Sequence, residues 1–135
     1  MKIRVRYAET DKMGVAYYAN YFVWFEVGRT ERLEKAGIPY RIMEDEYRII
    51  LPVVEAFARY RKSVVFDETI EIITRIKDVA SKKLTFEYKI LKETGEVSCE
   101  GYTVHLAVNP EGKVISFPPE VYEKLRLACN EDNKT

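Results

Sequence analysis

The chain has 135 residues, 47% of them apolar, with Lys plus Arg and Asp plus Glu equal at 22 each. That length supports one domain with a usable core, and the charge balance argues against nucleic acid as the main partner, which calls for a basic excess. Charged residues make up 33%, above the usual quarter, a surplus that fits either a thermophilic source or a well-solvated small domain.

Ile3, Val5 and Tyr7 alternate with Lys2, Arg4 and Arg6, which predicts a half-buried strand. A loop follows over 8–17. Tyr21, Trp24, Phe25, Gly28, Arg32 and Ala36 then recur at helical spacing, and Gly37 stands where helices commonly end. Gly28 on the buried stripe costs helix propensity, so close approach of this helix to a sheet is expected there. The stretch 39–47 predicts a short helical turn. Beyond it the chain is strand-rich. Residues 49–65 carry Pro52 early. Ile70, Ile72 and Ile76 alternate with Glu71 and Arg75, and Leu84, Phe86, Tyr88 and Ile90 alternate with Thr85, Glu87 and Lys89. Glu93-Thr94-Gly95-Glu96 is a hairpin signal. Tyr102, Val104, Leu106 and Val108 mark the last long strand, and Asn109-Pro110-Glu111-Gly112 turns the chain again. Residues 119–129 predict a C-terminal helix and 130–135 a polar tail. One early helix among long antiparallel strands is an α+β arrangement, here a single domain over 1–129. A lone sheet of this kind leaves a strand edge unpaired, so self-association is expected.

Cys99 and Cys129 are too few for a disulfide framework. The start, Met1 to Arg6, has no apolar run of the kind a signal peptide needs. The longest uncharged run, Met13 to Phe25, falls short of the ~20 residues a spanning helix requires. A cytoplasmic protein without a transmembrane segment is the expectation.

The segment from Tyr7 to Glu26 carries the chemistry. Asp11 sits in a short loop, with Gly14 after it and an aromatic-rich helix start beyond. Free backbone N–H groups at a helix start can face an oxyanion, and a carboxylate beside them can act as base or nucleophile. The same Asp also suits an Asx-turn or a cap. Asn20 suits a helix N-cap or a brace for the loop around Asp11. Glu26 is a competing carboxylate, at a spacing that favours an ion pair with Arg29. Glu55 reads as a strand-surface charge paired with Arg59 or Lys62. His105 is the single histidine and reads as a packed strand residue. One His and two distant Cys give no usual zinc site. There is no Gly-x-Ser-x-Gly elbow, phosphate-binding loop or dinucleotide fingerprint.

This segment resembles the signature of the 4-hydroxybenzoyl-CoA thioesterase family, within the hotdog-fold acyl thioesterases, and most nearly its Tol-Pal-associated acyl-CoA thioesterases. The residues that carry the resemblance are Tyr7, Thr10, Asp11, Met13, Gly14, Val15, Tyr17, Tyr18, Asn20, Tyr21, Trp24, Phe25 and Glu26. It continues through Pro52-Val53-Val54-Glu55, Tyr60-Arg61, Phe66-Asp67-Glu68 and Phe117-Pro118-Pro119, so it covers nearly the whole chain.

The resemblance implies a hotdog fold, a five-stranded antiparallel sheet wrapped around a central long helix, assembled as a homodimer or homotetramer with substrate bound at the subunit boundary. It implies an acyl-CoA thioesterase in which Asp11 attacks the thioester carbonyl or activates a water. The Tyr18 backbone N–H would serve the oxyanion. Relatives carry His or Tyr at this position, so a mechanism needing an imidazole there cannot run in this chain. The Tyr18 side chain then tunes the pocket or packs in the core. Gly14, Val15, Tyr17, Tyr21 and Phe25 would shape the acyl pocket, with Asn20 beside them. Arg59, Arg61 and Lys62, with Ser81, Lys82 and Lys83, are candidate clamps for CoA phosphates or else solvated strand ends. No cofactor or metal is implied, coenzyme A being part of the substrate, and an acyl-carrier protein is an alternative donor. The rival readings are a non-catalytic acyl-thioester binding module and a hotdog enoyl-thioester hydratase, which typically needs a His beside its carboxylate.

Overall fold

A computed structural model describes residues 1–134. Its elements are β1 (Lys2–Arg4), a 3-10 turn (Tyr7–Glu9), α1 (Asn20–Lys35), α2 (Tyr40–Glu46), β2 (Val53–Tyr60), β3 (Thr69–Val79), β4 (Lys83–Leu91), β5 (Val97–Leu106) and α3 (Pro119–Asp132). The strands form one five-stranded sheet in the order β1-β3-β4-β5-β2, and every neighbouring pair is antiparallel. The expected α+β arrangement, with one long helix against an antiparallel sheet, is what the chain adopts.

Helix α1 lies across one face of the sheet. Phe25 stacks on Tyr88 of β4, with ring centroids 4.2 Å apart and planes 4° from parallel. Gly28 makes the close approach that its place on the apolar stripe predicted. A Cβ there would stand 2.8 Å from the Ile72 side chain and would collide with the Thr74 hydroxyl. Tyr21, Trp24, Phe25, Gly28 and Leu33 are the buried positions of α1. Leu84, Phe86, Tyr88 and Ile90 are buried on β4, as their alternation predicted.

One expectation differs, and β5 adds a fact that its alternation left open. On β5 the residues facing α1 are Cys99, Gly101, Thr103 and His105, whereas Tyr102, Val104 and Leu106 are half-buried on the opposite face. Small and polar residues suit the α1 side because the Phe25 ring occupies the space above Gly101. The polar segment after Cys129 is not a free tail. Strand β1, with Met1 beside it, covers β3 only as far as Ile72, which leaves the next stretch of that edge without a strand partner. Asp132 accepts the Ile76 N–H at 2.8 Å, and the Asn133 amide donates to the Ile76 carbonyl at 2.9 Å. Asp132 also pairs with Arg32 of α1 at 2.9 Å. The end of α3 thus closes an edge that would otherwise leave backbone groups unpaired.

His105 is fully buried. Its Nδ1 lies 3.0 Å from the Leu51 carbonyl and its Nε2 lies 2.8 Å from the Thr103 hydroxyl, which contacts the Tyr88 hydroxyl at 2.6 Å. Burial pushes the imidazole down to about 4. The unfolded chain takes up a proton as pH falls through the ordinary value near 6.5, while the folded protein stays neutral until about 4. Stability is therefore fully present above that upper value and is lost across the window, by about 3 kcal/mol in total. Urea unfolding of wild type and His105→Gln at pH 7.5 and 4.5 checks this. The wild-type midpoint is expected to fall more steeply with acid than that of the variant.

Candidate active site

The residues around Asp11 form a small, tightly stitched loop. Asp11 donates its N–H to the Val15 carbonyl at 2.8 Å, and Gly14 donates to the Asp11 carbonyl at 3.0 Å. Gly14 takes a positive φ of 80°, a conformation that most side chains resist. Met13 donates its N–H to Asp11 Oδ1 at 2.8 Å, which makes the Asx-turn. The other carboxylate oxygen has no protein donor among the described residues, and the side chain is exposed. The loop is anchored on its far side by Ala16, whose N–H reaches the Val64 carbonyl at 2.8 Å.

The start of α1 stands against this loop. Tyr17 donates its N–H to the Glu9 carbonyl at 2.8 Å, and the Asn20 side-chain amide donates to the same oxygen at 2.9 Å. Asn20 is thus the first residue of the helix and not its cap. Its side chain is the brace for the loop. The amides of Tyr18 and Ala19 have no acceptor among the described residues, as expected of the first groups at a helix start.

The aromatic residues separate into two kinds. Tyr17 and Tyr18 are exposed, with ring centroids 4.7 Å apart. Tyr60, at the end of β2, donates its hydroxyl to the Tyr18 carbonyl at 3.2 Å and lies edge-on to Tyr18 and Tyr21. Tyr21 is only 3% exposed and pairs with the Ser98 hydroxyl at 2.9 Å, and Phe25 is fully buried against Tyr88. Within one chain, Tyr21 forms a floor under Tyr60, and the Phe25 expectation of a pocket wall gives way to a core role. Burial raises the titration of Tyr21 and Tyr60, and the hydrogen bond with Tyr18 raises that of Tyr17. These three phenols stay protonated at neutral pH, so none of them is a base.

The residues proposed for phosphate contact are not gathered beside Asp11. Arg59 on β2 and Arg61 just past its end lie on the sheet face away from α1, where they border a shallow cleft of about 570 Å³ with Phe57, Ile73 and Tyr102. Arg61 is held by Glu100 at 2.6 Å. Lys62 pairs with Glu96 at 3.4 Å. Ser81, Lys82 and Lys83 form the β3–β4 turn, beside Ala107 and Phe117. The Asp11 loop meets the chain at 64–65, near the opposite end of the sheet. The length of β3 puts roughly 30 Å between those two ends. Within one chain the two groups therefore stand at opposite ends of the sheet.

Two smaller readings are corrected. Arg29 does not pair with Glu26; it donates to the Tyr40 hydroxyl at 3.2 Å and contacts Tyr88. Glu55 stands against the Tyr102 hydroxyl, not Arg59 or Lys62, and that contact raises the tyrosine's titration. Glu9, which the sequence reading passed over, is one of the few buried charged side chains, 6% exposed. Its legible signal was the spacing of Arg6 and Glu9, in which an acid three residues on reaches back to a backbone N–H, here at 2.8 Å.

Comparison with known proteins places this arrangement. Residues 5–125 match the model of the thioesterase-like superfamily. The chain is 39% identical over 123 residues to the Bacillus subtilis (strain 168) protein named "Putative acyl-CoA thioesterase YneP", covering 91% of this chain and 86% of that protein. Among solved structures, it superposes on a hypothetical protein, TT1821, from Thermus thermophilus with a TM-score of 0.89 and 36% identity, covering 95% of this chain and 97% of that one. The DHNA-CoA thioesterase of Staphylococcus aureus matches with a TM-score of 0.88 and 34% identity, over 100% of this chain and 95% of that one. With its sheet, its long helix and a family match across most of its length, the chain belongs to the thioesterase-like superfamily and is a hotdog-fold thioester hydrolase.

Proposed function

We propose that this protein hydrolyses acyl-CoA thioesters to a free acid and coenzyme A, with Asp11 as the reacting carboxylate. The observation that carries the reading is the Asp11 loop itself. Its backbone is stitched to the start of α1, one carboxylate oxygen is engaged in a turn, and the other is free. Two mechanisms fit. In one, Asp11 attacks the thioester carbonyl, the thiolate of CoA leaves and takes up a proton, and water cleaves the acyl anhydride. In the other, Asp11 takes a proton from a water that attacks directly. In both, negative charge grows on the carbonyl oxygen, and the free N–H groups of Tyr18 and Ala19 are the donors at hand. The acyl chain would lie along Val15, Tyr17 and Tyr18, with Gly14 giving the ester room to approach. His105 is buried and hydrogen-bonded on both nitrogens, which disfavours the hydratase reading.

The working unit in this proposal is a homodimer or homotetramer in the cytoplasm. Strand β2 is an open edge, exposed along nearly its whole length with Val53, Val54, Phe57 and Tyr60 uncovered. A second copy pairing antiparallel along β2 runs its sheet the opposite way. That brings the partner's β3–β4 turn, with its Ser81, Lys82 and Lys83, to the end where Asp11 lies. The separation within one chain is thereby removed. The cleft around Phe57 and Tyr102 on the outer sheet face gives two dimers a surface to share.

The test is free-thiol release from a panel of aromatic and aliphatic acyl-CoAs, with an acyl-carrier protein thioester as a further donor. Turnover on one class establishes the activity. Binding of CoA esters without turnover favours the binding module. Sedimentation is expected to give twice or four times the chain mass of 15.8 kDa, and a monomer under assay conditions would sink the shared-site arrangement.

A further inference from the structure

The geometry points to Glu9 as a positioning residue, a buried carboxylate that fixes the Asp11 loop against α1 through the Trp24 indole. This rests on the proposed role of Asp11. Glu9 Oε2 accepts the Trp24 Nε1–H at 2.8 Å, and Oε1 accepts the Arg6 backbone N–H at 2.8 Å. The Glu9 carbonyl accepts the Tyr17 N–H and the Asn20 side-chain amide. Four donors therefore converge on one residue: one from just after β1, one from the loop before α1, one from the first residue of α1 and one from a full turn inside it. Asp11 follows two positions later, so its placement relative to the free Tyr18 and Ala19 amides is set through Glu9.

A carboxylate suits this role where a neutral group does not. Both donors on the side chain are N–H groups, so both oxygens must accept. Among the described residues, the 3.5 Å approach of the Arg6 guanidinium to Oε1 provides its one cationic partner. That guanidinium is mostly exposed, so the two hydrogen bonds hold the geometry and not the ion pair. Glutamine would turn its NH₂ toward one of the two donors and leave an N–H facing an N–H in a buried place. Trp24 is held in its turn, packed edge-on against Tyr21 at 4.8 Å. The link from the loop to α1 is therefore rigid at both ends.

The test measures acyl-CoA hydrolysis and unfolding temperature for Glu9→Gln, Trp24→Phe, the double variant and Asp11→Asn. Because Trp24 is the single tryptophan, its emission reports the Glu9 contact independently of activity. Glu9→Gln is expected to shift that emission and to lower kcat by about tenfold or more, the scale on which a misplacement of about an ångström acts, with KM within about twofold. Trp24→Phe removes the same hydrogen bond from its other end, so the double variant is expected to lose little more kcat than Glu9→Gln alone. If Glu9→Gln does not fold, Trp24→Phe alone carries the test through a fall in kcat at unchanged KM. A folded Glu9→Gln with wild-type kcat, or a double variant whose loss is the product of the two single losses, overturns the proposal while Asp11→Asn stays inactive. An active Asp11→Asn overturns the catalytic reading, and this one with it.

Discussion

Asp11→Asn is expected to lower the hydrolytic rate by about a hundredfold or more, with substrate binding retained. The asparagine side chain keeps the shape of the carboxylate and an oxygen to accept the Met13 N–H, so the Asx-turn at 2.8 Å survives. What it loses is negative charge and basicity on the oxygen that has no protein donor. A neutral amide neither attacks a thioester carbonyl nor takes a proton from water, so both routes stop at the same residue. The loss belongs in kcat, because binding of the acyl and CoA parts does not depend on that oxygen. Residual turnover from the helix-start amides sets a floor, since one oxyanion donor alone is worth about 10²–10³. The measurement is free-thiol release together with CoA-ester affinity for both proteins. Unchanged turnover would move the chemistry to another carboxylate, with Glu26 the next to test.

Gly101→Ala should destabilise the protein more than Gly28→Ala does. Gly101 faces Tyr88 in β4 on one side and Ala58 in β2 on the other. A Cβ there would collide with the Phe57 backbone carbonyl and stand 2.9 Å from the Phe25 ring. A backbone oxygen cannot rotate away, so β2 must shift against β5. Overpacking of this kind costs about 1–3 kcal/mol, and the upper end corresponds to a fall of roughly 10 °C in unfolding temperature for a domain of this size. Gly28→Ala is the contrasting case. There the collisions are with the Thr74 hydroxyl and an Ile72 methyl, both side-chain atoms, and the hydroxyl has no hydrogen-bond partner to lose among the described residues. The gain in helix propensity, about 1 kcal/mol, offsets part of the strain. Thermal unfolding of both variants separates the two. Because β2 is also the proposed edge for a second copy, Gly101→Ala should weaken self-association as well. Equal losses in the two variants would mean that the β2–β5 pairing yields more easily than its register suggests.

The division between what was legible and what was not follows the range of each interaction. The alternation of Leu84, Phe86, Tyr88 and Ile90, the helical stripe from Tyr21 to Gly28 and the stop at Gly37 are local patterns, so the elements and the α+β class could be read from the chain. The close approach at Gly28 was legible for the same reason: a glycine on a buried stripe needs a neighbour to explain it. The segment from Tyr7 to Glu26 was enough to point to Asp11 and to the family. On β5 the alternation marked a strand but not which face meets α1: Tyr102, Val104 and Leu106 form the more apolar set yet face away from the helix. That outcome depends on the Phe25 ring needing the room above Gly101, a contact between positions far apart in the sequence.

The same holds for the site. The chain by itself determined which residue types stand near Asp11: the glycine that lets the loop turn, the tyrosines, and the asparagine that opens the helix. Only the tertiary structure decided that Asn20 braces the loop instead of capping the helix, that Tyr60 arrives from the end of β2, and that Arg59 and Arg61 face the other side of the sheet. It also put Ser81 to Lys83 at the far end from Asp11, and closed the β3 edge with Asp132 and Asn133. Each of these rests on a pairing between distant segments, whose register is set by packing of the whole sheet against α1 and leaves no periodic trace in the residues themselves.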